Sequence, residues 1–181
     1  MNEILLVKSI LIFITLGLAL YYDIYQQKIK NQITFPAAIL GAGINLFDKG
    51  MDGLLYSLKG WLVPIIILIA FYYINVMGAG DIKLFAAVGA IMGLPFVFYS
   101  FVFSIYIGGL IALVILIRKK LLLKQMNHLY KYLKYTFLVC TVSAYGNKDE
   151  KNNKFIFAAA IVPGTLLQLI LTIWKQGGQA Y

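Results

Sequence analysis

The sequence predicts an all-α integral membrane protein: about six transmembrane helices plus a cytoplasmic interfacial amphipathic helix. Composition, apolar run lengths and the placement of lysines carry that reading. Of 181 residues, 61% are hydrophobic and 13% charged, against about 45–50% and about 25% in soluble domains. A globule of this size has too little interior for that much apolar surface. Six nearly uncharged runs are present: Ile4–Leu20, Ile33–Phe47, Leu54–Val76, Leu84–Leu94, Phe96–Ile117 and Phe155–Trp174. A spanning helix takes roughly 20 apolar residues, with about 17–25 as the working range. A secreted disulfide scaffold, a soluble enzyme and a disordered tail are excluded, and residues 1–181 read as one domain.

Ile4–Leu20, the first element, resembles a signal peptide in length, but Glu3 precedes Lys8, so no clearly positive segment leads it. Ile33–Phe47 is short and carries Pro36 near its start, where proline is tolerated in a first helical turn. A loop is expected at 48–53, then a span over Leu54–Val76. Leu84–Leu94 has only eleven residues before Pro95, which suggests a partial span or a helix ending inside the protein, beside protein or water. Phe96–Ile117 and Phe155–Trp174 complete the set.

Between those last two lies a different element. In 121–140, Leu122, Met126, Leu129, Leu133 and Phe137 fall on one helical face and Lys120, Lys124, Lys131 and Lys134 on the other. Such a helix lies in the membrane interface on anionic lipid, bound through Lys124, Lys131 and Lys134; gating or substrate docking is the alternative role.

Basic residues set the orientation. Nine of the sixteen fall in the 118–154 connection against two acids, so that segment is +7 and cytoplasmic. Alternation then puts the 77–83 loop and the 21–32 loop, with Lys28 and Lys30, inside the cell, and outside it the neutral N-terminus and the 48–53 loop, neutral once Lys59 beyond it is counted. The reading is a multi-pass protein of the cytoplasmic (inner) membrane with its N-terminus outside.

One cysteine, Cys140, and one histidine, His128, leave no His/Cys metal site and no intrachain disulfide; no cofactor is expected. The +9 charge belongs to cytoplasmic loops and lipid rather than to nucleic acid.

Of seven acidic residues, Asp23 and Asp81 stand apart. Asp23 follows the first apolar run after Tyr21 and Tyr22; Asp81 ends Met77-Gly78-Ala79-Gly80. Ionisable groups at membrane depth cost about 2.5–3.5 kcal/mol on insertion scales and point to function. Both fall at the cytoplasmic face in this topology. Two carboxyls close together share one proton: the ionised one takes a proton from water and the protonated one donates to a carbonyl oxygen, which hydrolyses a peptide bond without a metal. Gly78 and Gly80 would let backbone approach an extended substrate and adopt torsions other residues avoid. The competing structural reading pairs Asp23 with Lys28 or Lys30, and Asp81 with Lys83.

The string Met77-Gly78-Ala79-Gly80-Asp81-Ile82-Lys83-Leu84, with Gly89 and Gly93 beyond it, resembles the type IV prepilin peptidases, membrane aspartic proteases of the GxGD class. In that family the first catalytic aspartate precedes an Ile-Pro-Asn element; here Asp23 precedes Ile29-Lys30-Asn31, with lysine in place of proline. The resemblance implies six membrane segments, catalysis by Asp23 and Asp81, and support from Gly78, Ala79, Gly80, Lys83 and Asn31. It implies cleavage of prepilin or pseudopilin leaders at the cytoplasmic face, between a short basic leader and the hydrophobic helix of the mature subunit. Longer members carry an N-terminal domain with paired zinc-binding cysteines, associated with N-methylation; this chain looks like a short form, with no methyltransferase activity expected. A basic leader is repelled by the lysine-rich helix, which favours lipid anchoring for that helix.

The alternatives are another GxGD protease (preflagellin-type or presenilin-like), a proton-coupled transporter using the two aspartates as a relay, and a non-catalytic component of a secretion machine.

Overall fold

The computed structural model describes residues 3–26, 28–74, 76–118 and 157–178. They form α1 (Glu3–Gln26), α2 (Asn31–Tyr73), α3 (Ala79–Met92), α4 (Leu94–Arg118) and α5 (Ala158–Gly178). The expected amphipathic helix at 121–140, with Lys124, Lys131 and Lys134, lies outside the described residues. The chain divides into a unit of Met1–Gly108 with Ile156–Tyr181 and a second unit of Gly109–Phe155. In the second, only the last turns of α4 are described; the candidate site belongs to the first.

The protein is an all-helical membrane protein, but six spans are not what the helices give. Four described helices, α1, α2, α4 and α5, are long and apolar enough to cross a membrane. Two features account for the difference. The expected loop at 48–53 is helical except at Gly50 (φ 60°, ψ −140°), a left-handed torsion that glycine adopts without steric cost, so two of the expected segments are joined in α2. The other feature is α3, whose 14 residues reach about 21 Å at 1.5 Å per residue, short of the roughly 30 Å of a bilayer core.

Gly50 does more than kink α2. The Asn45 amide nitrogen lies 2.8 Å from Ser57 Oγ, whereas twelve residues of straight helix would hold them about 18 Å apart. The chain therefore doubles back at Gly50 into an antiparallel hairpin with arms 31–49 and 51–73. Pro36 is not in a first turn as expected, because α2 already begins at Asn31. The intrahelical bond it forfeits is the one to Gln32, an exposed residue at the helix end, where water replaces it.

α3 packs against this hairpin and is the centre of the unit: Leu84, Phe85, Ala86, Ala87 and Val88 are fully buried. A helix apolar all round belongs in a core, which bears out the expectation of a helix ending inside the protein. Gly93 (φ 87°) turns the chain from α3 into α4.

One polar residue ties these pieces together at the end away from Asp81. Asn45 is 1% exposed. Its Oδ1 accepts from Lys8 Nζ of α1 at 2.6 Å, and its Nδ2 lies 3.1 Å from both the Ala90 and the Ile91 carbonyl of α3. Lys8 also pairs with Asp48 at 3.7 Å, so Asp48 is held by a partner rather than by loop water. Replacing Asn45 with Ala leaves Lys8 to Asp48 alone and unties Ser57 from α3. The expected loss is about 2 kcal/mol of stability, read as a lowered unfolding midpoint in detergent with helix content unchanged.

Candidate active site

The two aspartates reach one end of the fold by different routes. α1 runs from Glu3 to Gln26, which puts Asp23 in its last turn. Tyr21 stacks near Tyr25 (centroids 4.6 Å) and edge-on to Tyr22 (5.6 Å), an aromatic cluster of the kind that marks a membrane–water boundary. Tyr72 and Tyr73 end α2. α3 starts at Ala79, so Asp81 lies in its first turn, and α5 starts at Ala158. The Asp23 carboxylate accepts a hydrogen bond from the Ala158 backbone N–H, one of the donors a helix start leaves unpaired.

Asp81 is 9% exposed. Its Oδ2 accepts the Gly78 backbone N–H at 3.3 Å, so it caps the helix it belongs to. Burial is the largest influence on its carboxyl and the negative charge of Asp23 the second; together they push its pKa up to about 6, against a lowering by the Gly78 hydrogen bond. The Asp23 charge is therefore near enough to be felt at Asp81.

The local pairings that would make these aspartates ordinary boundary residues are not formed. Lys83 Nζ donates to Asn31 Oδ1 at 2.8 Å, and Lys30 Nζ lies 4.7 Å from the Tyr22 ring centroid. Among the described residues the only ion pair is Lys8–Asp48.

The glycines of the motif serve space rather than torsion, which corrects the expectation drawn from sequence. Gly78 has φ −75° and ψ 148°, open to any residue, and positive φ occurs only at Gly50 and Gly93 among the described glycines. A Cβ on Gly80 would lie 3.1 Å from Ile29 Cβ and 3.4 Å from the Ile29 nitrogen. Gly80 thus brings α3 against the 28–30 segment that follows Asp23. Ala79 is exposed at the start of α3. The Ala158 contact was not foreseen: it depends on where α5 begins, and no sequence spacing relates residue 158 to Asp23.

Two isolated carboxylates at one end of a helical membrane bundle, one buried and coupled to the other, are the kind of site a membrane hydrolase of aspartic type would use. The sequence model of the type IV leader peptidase family matches residues 10–113, more than half of the chain and inclusive of both aspartates. The chain belongs to that family and is a type IV leader peptidase-like membrane protease. No curated protein and no solved structure matches it.

Proposed function

We propose that the protein is an aspartic endopeptidase that removes the basic leader from type IV prepilin or pseudopilin-like substrates, using water activated between Asp23 and Asp81. The observation that carries this reading is that no cation among the described residues pairs with either aspartate, although Lys28, Lys30 and Lys83 are close in sequence, together with the charge coupling between the two. A buried acid left without a counter-ion, with a second acid beside it, favours a singly protonated pair over two carboxylates. Its ionised member takes the proton of an attacking water, its protonated member donates to the scissile carbonyl oxygen, and the collapse of the tetrahedral adduct returns a proton to the departing amine. Gly78 and Ala79 are exposed beside Asp81, and Ala79, in the first turn of α3, leaves a backbone N–H to an extended substrate.

The site faces the cytoplasm in this reading, and the two arms of α2 cross the membrane separately. Support comes from Lys28, Lys30 and Lys83 gathering at the aspartate end, while Lys8 is balanced by Asp48 at the other. The test is co-expression with a prepilin bearing a basic leader, a glycine and a hydrophobic helix, followed by gel size. Shortening by the native chain that vanishes in Asp23→Asn and in Asp81→Asn supports the dyad. Shortening that survives both substitutions rejects it. A chain that cuts only preflagellin-type substrates would keep the chemistry and change the substrate.

Lys124, Lys131 and Lys134 are proposed to hold anionic lipid rather than substrate, since a basic leader is repelled by them. Neutralising all three should leave cleavage in detergent within about twofold, because exposed charges contribute little once screened; a large loss there would overturn this role.

A further inference from the structure

One apolar cavity of the described fold lies away from the aspartates. It has a volume of about 420 Å³ and lies between α3 and both arms of α2. α3 shows it Ala79, Ile82, Lys83 and Ala86. At about 100° per residue, Asp81 points about 150° away from the middle of that face, so α3 itself stands between the cavity and the aspartates. What occupies the cavity is thus a separate question from what is cut, and the answer does not rest on the proposed function.

The cavity is graded along its length. On the second arm of α2 it is lined by Trp61, Ile65, Ile69 and Tyr72, a run about 16 Å long at 1.5 Å per residue. Its deep part is mostly apolar; Asn31, Thr34 and Lys83 belong to the helix starts at the aspartate end, where Tyr72 also lies. Phe35, Ile69 and Tyr72 are 57%, 43% and 48% exposed, so the wall is open on the side a bilayer would cover. A polymethylene chain is the apolar group that a bilayer brings to a groove open on that side.

Lys83 decides the headgroup. Its Nζ is exposed and bonded to the neutral Asn31 Oδ1, and among the described residues no acid is within ion-pair distance of it. A lysine whose stem lines an apolar groove and whose ammonium emerges at the rim meets a phosphate in the headgroup layer. We propose that this cavity is a binding site for an anionic phospholipid, with one acyl chain between the α2 hairpin and α3 and its phosphate on Lys83. Lipid there would brace the first turn of α3, the turn that carries Asp81, against α2.

The test uses the full chain, delipidated in a neutral detergent, titrated separately with phosphatidylglycerol and phosphatidylcholine. Bound lipid is counted by native mass spectrometry and the unfolding midpoint is followed in parallel. The expected result is one tightly held phosphatidylglycerol that raises the midpoint. Lys83→Gln should weaken it about tenfold, the worth of one charge-assisted hydrogen bond, and Lys83→Arg should restore it. Ile69→Trp, which fills the groove from its exposed wall, should remove the tight site. Equal binding of the two lipids, or a tight phosphatidylglycerol site that persists in Ile69→Trp, overturns the proposal. So does an Ile69→Trp protein with unaltered lipid binding and a raised KM for a prepilin, which would give the groove to the substrate.

Discussion

Asp81→Asn should lower cleavage by at least about 10³-fold, and Asp23→Asn by a similar factor, while both proteins stay folded. General acid–base catalysis by one positioned group is worth about 10²–10⁴-fold, and groups acting as a unit lose nearly all of it when either is removed. The fold survives because each aspartate's structural duty is to accept a backbone hydrogen bond, from Ala158 at Asp23 and from Gly78 at Asp81. An asparagine Oδ1 accepts those bonds equally well. Stability gives a second, independent readout. The Asp81 pKa is raised to about 6 in the folded protein, by burial first and by the Asp23 charge second. A raised carboxyl pKa contributes stability that is complete below the unfolded value near 3.8 and is lost as pH rises through about 6. The native protein should therefore lose on the order of 2–3 kcal/mol between pH 4 and pH 8 from this group. Asp81→Asn should lack that loss and be the more stable protein at pH 8. A variant inactive because it is misfolded would show the opposite order. Unfolding midpoints of both proteins across that pH range, beside the gel assay, decide between the two.

How far the sequence could be read depends on the length scale of each feature. The membrane class was legible because it depends on summed composition and run length, which no tertiary contact alters. Asp23 and Asp81 stood out because an acid beside an apolar run has few innocuous explanations, and Lys83 and Asn31, 52 positions apart, do meet. The helices number fewer than six because two expected segments run on as one bent helix at Gly50 and because α3 is too short to span. The acids and lysines at 48–52 read as a loop, yet Asp48 is satisfied by Lys8 of another helix, so polar residues could stay helical there. The hairpin shows in contacts between its arms, Asn45 with Ser57 and Gly53 against the Asn45 carbonyl. Gly78 and Gly80 do not use the torsional freedom expected of them. The position of α5's first turn beside Asp23 rests on packing between distant segments, which periodicity does not encode.

Gly60 and Gly89 yield the largest expected effect on stability. They face each other where the second arm of α2 crosses α3: a Cβ on either would run into the carbonyl oxygen of the other. Helices in a membrane gain little from hydrophobic exclusion and associate through close backbone packing at small residues. The sequence also provides for the carbonyl. Pro64 lies four residues after Gly60 inside α2 and has no N–H, so the Gly60 oxygen lacks its intrahelical donor. It lies instead against Gly89, where Cα–H···O contacts recover part of that loss. Gly89→Leu removes the contact and forces α2 away from α3, with an expected cost of at least about 3 kcal/mol, the upper part of the overpacking range. Gly60→Leu should cost about the same, and combining the two should add little, since the first substitution has already parted the helices. Gly43, with no heavy atom within 4 Å of an added Cβ, is the control: Gly43→Leu should be nearly neutral. The consequence reaches the aspartates, because α3 is the helix that carries Asp81, two turns from Gly89. A displaced α3 should abolish cleavage together with the folded-state midpoint, whereas Asp81→Asn abolishes cleavage alone. Unfolding of the single and double variants in detergent measures the coupling. Additive losses from Gly60→Leu and Gly89→Leu would mean that the two glycines do not share one contact.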